Sequence, residues 1–218
     1  MNDFSKRTLK ITPQKVRIIA HCIFDGWLYS INCKYAIGYC NKNTSLMNKF
    51  VSDINELYGI FKKPRKRIRK STTYEVEFFS KKMYNDIRVY ISNDKSLTQS
   101  FFRILKRKKY LIKLFLRAFW DDEGTVSYCG STRKLRGRCS NKLLRKQLLM
   151  LHKILGIVIK EDYDNLGLII CNYENLRIFN QKIGFSKNVF VCKSNKIGPW
   201  FGYEKRKVLN NALNSYNF

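Results

Sequence analysis

Asp25 and Glu123 draw attention by where they sit. Each closes an unusually apolar segment, residues 16–24 and 111–120, and each is followed by a glycine, Gly26 and Gly124. Ala20 and Ala118, Asp25 and Glu123, and Gly26 and Gly124 are all 98 residues apart, the register of a duplicated unit. If the segments are helices, an acid in the last turn faces the partial negative end of the backbone dipole, at roughly 0.3–1 kcal/mol per exposed site. One Asp-Gly is an ordinary turn; two in register, each ending an apolar helix, ask for a compensating positive charge. Two carboxylates brought close repel, and one is driven toward protonation unless a cation lies between them. A hard divalent cation such as Mg²⁺ prefers oxygen ligands. On the floor of a basic surface, such a centre suits hydrolysis of a phosphodiester, because the metal activates water and stabilises the pentavalent phosphorus.

The elements that must carry these acids follow from local signals. Thr12 as N-cap and Pro13 in the first turn predict a helix over about 13–24, apolar nearly all round and so buried on more than one side. Segments 27–33 and 35–41 read as two strands joined by a short turn. Asn43-Thr44 opens a helix with Leu46, Phe50, Ile54 and Leu57 on one face, stopped by Gly59. Residues 64–71 and 73–79 predict a second hairpin, and 81–90 a weaker helix. The order then repeats, with a helix over 111–122, strands near 125–129 and 134–139, and a helix over 141–155 stopped by Gly156. Strands near 157–162 and 166–171 and a helix over 173–183 complete it. The expected architecture is α+β, two αββαββα units about a pseudo-twofold axis, with residues 1–107 as one half and 108–218 as the other. Residues 92–110 join them, and 186–218 form an appendage ending in a helix near 203–215. Small Ala20 and Ala118 let the two apolar helices approach closely, delivering Asp25 and Glu123 to one point.

Bulk properties narrow the partner. The chain has 218 residues, 43 Lys and Arg against 16 Asp and Glu, and a net charge of +27. Residues 1–109 hold 24 bases and 8 acids, and residues 110–218 hold 19 and 8, so the excess is no tail. A compact body that repels itself this strongly implies a polyanion. Seven cysteines without a C-x-x-C pair and two histidines argue against structural zinc and fit buried free thiols in a reducing compartment. No apolar signal core and no membrane-length run is seen, so a soluble intracellular protein is expected. Arg65, Arg67 and Arg69 alternate, as do Lys134, Arg136 and Arg138; in strands each set lies on one face. A two-stranded ribbon fits the major groove, where Arg reads guanine, and Tyr29, Asn32, Lys34, Tyr35 and Arg133 are expected to extend this face. Any one of these charges is more simply a solvated group or a phosphate contact; the alternating sets favour duplex DNA.

The nonapeptides Ile18-Ile19-Ala20-His21-Cys22-Ile23-Phe24-Asp25-Gly26 and Leu116-Arg117-Ala118-Phe119-Trp120-Asp121-Asp122-Glu123-Gly124 resemble the motif that names the LAGLIDADG homing endonucleases, the second more closely. Residues 37–43 and 74–82 also resemble that family's strand-to-helix passages, so the likeness spans nearly the whole chain. It implies a monomeric two-motif member of the intron-encoded type, with saddle-shaped antiparallel sheets astride a long, non-palindromic DNA site. Asp25 and Glu123 become the catalytic metal-binding acids, assisted by the backbone carbonyls of Phe24 and Asp122. Asn41 and Lys42 are candidate supports in the first half. Their matches are Cys139 and Ser140, and Val126 stands where a lysine is common, so the second basic helper is unassigned. The resemblance implies cleavage across the minor groove with short 3′ overhangs, supported by Mg²⁺ or Mn²⁺, with Ca²⁺ binding but not supporting cleavage. Met1 and the lack of splicing segments point to an intron-encoded or free-standing origin. Some relatives are maturases, RNA-binding splicing cofactors that do not cleave, and the basic surface suits that role too; intact acids in both motifs favour the nuclease. An architectural protein has no use for the two acids, and His21-Cys22 as a nucleophilic pair is disfavoured by its buried helix.

Overall fold

The computed structural model describes residues 11–68, 72–164, 166–192 and 199–216. The first half runs α1 (Pro13–Ile23), β1 (Gly26–Ile31), β2 (Lys34–Asn41), α2 (Thr44–Tyr58), β3 (Arg65–Ile68), β4 (Thr72–Phe79) and α3 (Lys81–Arg88). After α4 (Gln99–Arg107) the order recurs as α5 (Lys109–Glu123), β5 (Gly124–Cys129), β6 (Thr132–Arg138), α6 (Lys142–Ile154), β7 (Lys160–Glu161), β8 (Gly167–Cys171) and α7 (Tyr173–Lys182), and α8 (Lys205–Asn214) follows. Each half builds a four-stranded antiparallel sheet, in order β1-β2-β4-β3 and β5-β6-β8-β7. The 98-residue offset survives through the first hairpin of each sheet. Gly26 pairs with Tyr39 as Gly124 pairs with Gly137, and Ile31 with Lys34 as Cys129 with Thr132.

Local chemistry accounts for these elements. Thr12 caps α1 by accepting from the Lys15 amide, with Pro13 in the first turn. The β1–β2 turn places Asn32 and Cys33 both at positive φ, 47° and 60°, the backbone of a tight hairpin that keeps the strand twist. Gly26 and Gly124 are required by close approach: a Cβ would stand 2.5 Å from the Gly38 carbonyl oxygen and 2.4 Å from that of Trp120. The chain thus folds from helix to strand hard against the turn it has just left. Helices α1 and α5 pack against each other at the centre of one continuous core, with Ala20 fully buried and Ala118 nearly so. Helix α4 lies within the stretch expected to be a joining segment. Its signals were Thr98 as N-cap and the i, i+4 pair of buried Phe101 and Leu105, masked by the surrounding lysines and arginines.

Candidate catalytic centre

Where α1 and α5 cross, each helix turns one polar residue into the seam. The His21 Nδ1 lies 2.8 Å from Asp122 Oδ2, with side chains 4 % and 0 % exposed. The Tyr39 hydroxyl donates to Asp122 Oδ1 at 2.5 Å. Asn41 Nδ2 donates to Asp25 Oδ2 at 2.8 Å and to Asp122 Oδ1 at 3.3 Å. Asn41 is itself held, since its Oδ1 accepts from the Asn43 amide at 2.9 Å and from Asn43 Nδ2 at 3.3 Å. The carboxylate that shares Asn41 with Asp25 is therefore that of Asp122, for which the resemblance implies only a backbone role. Helical rotation explains this. Asp122 is one turn beyond Ala118 on the stripe facing α1, while Glu123 is rotated about 100° farther. Glu123 opens instead on a depression lined by Thr125, Arg136, Arg138 and Asp164, although it still acts electrostatically on Asp25.

Burial and crowding of like charge set the electrostatics. Desolvation first, then Asp122 and Glu123, push Asp25 up to about 8. Desolvation and Asp122 push Glu123 up to about 7, against Arg138, Lys205 and Lys95. Burial disfavours a charged His21, but the Asp122 charge and hydrogen bond outweigh it, so its pKa is raised. Asp121 belongs to the scaffold: its Oδ1 accepts from the Ser186 amide at 3.0 Å, and burial raises it to about 6.

The compensating cations come from residues far along the chain. Lys95 Nζ donates to the Gly26 carbonyl at 3.0 Å, just past the first acid. Lys205, at the start of α8, donates to the carbonyls of Asp121 at 2.6 Å and Trp120 at 3.3 Å in the last turn of α5. Neither lysine is signalled by the motif repeat. Asp122 and His21 were visible in it, because the 98-residue offset sets His21 against Phe119 and Asp122 against Phe24.

The donor set suits a hard cation. Carboxylate oxygens of Asp25, Asp122 and Glu123 lie beside helix-end carbonyls that lack intrahelical partners. Burial first, and then neighbouring negative charge, raises the pKa values of Asp25 and Glu123, and a cation would relieve that crowding of charge. Among the described residues, no three His, Cys, Asp or Glu side chains form an all-protein metal cage. Mg²⁺ typically keeps several waters and takes only one or two carboxylates plus phosphate oxygens. His152 accepts from Trp120 Nε1 at 2.9 Å in the core, with burial lowering it to about 4. The cysteines are free, but Cys33, Cys129, Cys171 and Cys192 are exposed rather than buried.

A cleft at this end of the seam is lined by Asp25, Asn41, Lys42, Asp122, Arg136 and Lys205, among others. Strand register sorts the expected DNA contacts around it. Trp27 and Glu77 both pair with Gly38, and Arg65 pairs with Glu75, which pairs with Cys40. These residues, with Tyr29, Lys34 and Arg67, therefore lie on the sheet face turned away from the core. On the second sheet Thr125, Ser127, Lys134, Arg136 and Arg138 share the matching face. Asn32 sits in the hairpin turn, and Arg69 lies outside the described residues. Two expectations are corrected. Tyr35 faces the helices, its ring 5.4 Å from Tyr84 with Lys81 over it. Arg133, opposite in parity to Lys134, donates to Ser215 Oγ at 2.7 Å and to its carbonyl at 2.9 Å, and lies over the Tyr216 ring. Acids also occupy the open faces: Glu75 pairs with Arg67 at 2.8 Å, Glu77 accepts from Trp27 Nε1 at 2.9 Å, and Asp162 and Asp164 pair with Arg136.

No protein-family model matches the chain, and no curated protein matches it by sequence. Solved structures do. The chain is similar to I-DmoI in complex with DNA and Mn, at 18% identity and a TM-score of 0.56, over 79% of this chain and 96% of that one. It is also similar to the homing endonuclease I-WcaI bound to its DNA recognition sequence, at 15% identity and a TM-score of 0.59, over 87% and 92%. Full-length DUF199/WhiA from Thermotoga maritima shares the fold too, at 11% identity and a TM-score of 0.57, over 83% of this chain and 60% of that one. Fold alone thus assigns no activity, and the side chains at the seam must carry that argument. The chain shares the fold of these homing endonuclease structures, with α1 and α5 crossing at its centre.

Proposed function

We propose that this chain is a site-specific double-strand DNA endonuclease, acting as a monomer on a long non-palindromic site. The observation that carries the reading is the position of a buried carboxylate cluster at the seam between two sheets whose open faces both present Arg and Lys. Asp25 and Glu123 are the catalytic acids, and with the carbonyls of Phe24 and Asp122 they hold the divalent cation. When bound, Mg²⁺ or Mn²⁺ lowers the pKa of the attacking water and offsets the charge on the pentavalent phosphorus. Asn41 fixes one Asp25 oxygen so that the other stays directed to the cleft. Lys42 and Lys95 supply positive charge near the first acid, and Lys205 near the second. Lys34, Arg65, Arg67, Lys134, Arg136 and Arg138 bind phosphates and base edges, with Tyr29 and Asn32 at their margin. Ca²⁺ is expected to support binding without cleavage. A maturase without nuclease activity is not favoured, because it has no need of this anionic cluster.

Selection of cleaved duplexes from a random library in Mg²⁺ tests the proposal and yields the target. Wild type should release fragments with short 3′ overhangs, and excess chelator should stop it. Asp25→Asn and Glu123→Gln should each bind the recovered duplex as wild type does and lose cleavage by about 10³-fold, the scale of losing a key electrostatic group. Equal cutting by all three proteins, or cutting in chelator, overturns the assignment.

A further inference from the structure

Lys205 is buried, 5 % exposed, with its ammonium committed to two backbone carbonyls. Burying a charge in this way is costly unless it answers another charge, and Asp121, Asp122 and Glu123 crowd the same helix end. The backbone around Lys205 reaches the other half of the centre. Its amide donates to the Val189 carbonyl at 2.8 Å, and Val191 and Tyr203 are joined by a further amide–carbonyl bond of 2.8 Å. Next to Val189, the Phe190 amide donates to Asn43 Oδ1 at 2.8 Å, and the Ser45 hydroxyl donates to the Asn188 carbonyl at 2.7 Å. Asn43 in turn holds Asn41, which holds Asp25. A continuous run of hydrogen bonds therefore links the Asp25 carboxylate to the last turn of α5 through residues 188–191 and 203–205.

We propose that these two backbone segments brace the catalytic centre from outside the duplicated core, with Lys205 as the positioning residue that fixes the acid-bearing end of α5 relative to Asp25. The proposal rests on the assignment of Asp25 and Glu123 as the catalytic acids. It gives the C-terminal region a role that neither motif signals. Asn43 makes no side-chain cap bond to α2, so its side chain is free for this linkage.

The test compares wild type, Lys205→Met, Lys205→Arg and Asn43→Ala. Lys205→Met leaves two buried carbonyls without a donor, so it should lower the melting temperature by a few degrees while keeping the duplex affinity of wild type in Ca²⁺. Without DNA or metal, amide hydrogen exchange at residues 122–124 should rise about tenfold, as expected for a locally loosened element. Cleavage of the selected duplex in Mg²⁺ should fall on the order of 100-fold in kcat with KM unchanged, the scale for an ångström-sized misplacement. Lys205→Arg, which keeps a cation and its donors, should recover most of both losses, and Asn43→Ala should show a smaller loss of cleavage. Unchanged exchange in Lys205→Met, or a cleavage loss that merely tracks a lower melting temperature, overturns the brace. If wild type cuts no duplex while Lys205→Met still loosens residues 122–124, the nuclease assignment fails and the brace stands.

Discussion

The pseudo-twofold axis relates two contacts between α1 and α5 that are chemically opposite. On one side His21 meets Asp122 at 2.8 Å. On the other their matched residues, Phe119 and Phe24, meet ring to ring at 5.1 Å. The second strand of each sheet follows suit. Tyr39 lies 4.7 Å from the His21 ring and bonds Asp122, whereas its match Gly137 makes room for Phe119, whose ring a Cβ would approach to 2.6 Å. The two halves share a backbone register through their first hairpins, yet the two sides of the seam differ chemically. The polar side puts a third carboxylate next to Asp25, and the aromatic side does only packing. The two acids are therefore inequivalent: Asp25 stands in a hydrogen-bonded anionic network, and Glu123 faces arginines.

The largest expected effect comes from breaking the polar pair. Asp122→Ala takes the shared acceptor from His21, Tyr39 and Asn41 and should cost about 3–5 kcal/mol in urea unfolding; His21→Ala should cost less, since Tyr39 and Asn41 still donate to Asp122. The triple variant His21→Phe/Tyr39→Gly/Asp122→Phe, which copies the aromatic side at its three matched positions, should regain most of that stability. Additive losses in the triple variant would mean these residues do not act as a unit. Next come the matched strand positions. Tyr39→Phe removes a donor from buried Asp122 and should cost about 1–3 kcal/mol. Gly137→Ala should cost a similar 1–3 kcal/mol by overpacking against Phe119. A neutral Tyr39→Phe would show that Asp122 needs only His21.

Inequivalence of the acids also has a pH signature. In the metal-free folded protein Asp25 and Glu123 hold their protons up to about 8 and about 7, against ordinary values of 3.8 and 4.5. Between those limits the folded state binds more protons than the unfolded one, so stability falls as pH rises. The loss begins above about 4 and is complete past 8. Asp25→Asn should flatten the decline in melting temperature between pH 5 and pH 9 more than Glu123→Gln does. Mg²⁺ should raise the wild-type melting temperature more at pH 9 than at pH 5; an equal rise at both would argue against metal binding by these carboxylates. The smallest effect concerns the binding faces. Lys134→Ala should lower the log–log salt slope of duplex binding by about 0.9. Arg136→Ala should lower it less, since Asp162 and Asp164 already pair with that guanidinium.

Much of this molecule could be read from local pattern. Caps and apolar spacing located α1, α2, α5 and α6, and the repeat predicted both sheets, because such signals act within a few residues of chain. Basic character on two strand sets was legible for the same reason, since alternation needs no knowledge of the partner. Where parity had to be known, inference failed. Tyr35 and Arg133 each sit one residue out of phase with their basic neighbours, and one residue decides the face of a strand.

By itself, then, the amino-acid order determined the duplicated α+β plan, the two acids at matching helix ends, and the need for positive charge to answer them. Only the tertiary structure decided what supplies that charge and which carboxylate stands beside Asp25. The reason is geometric. A helix turns about 100° per residue, so the crossing of α1 and α5 chooses Asp122 over Glu123 for the seam. Lys95 and Lys205 reach the two helix ends through folding of segments that carry no trace of the motif.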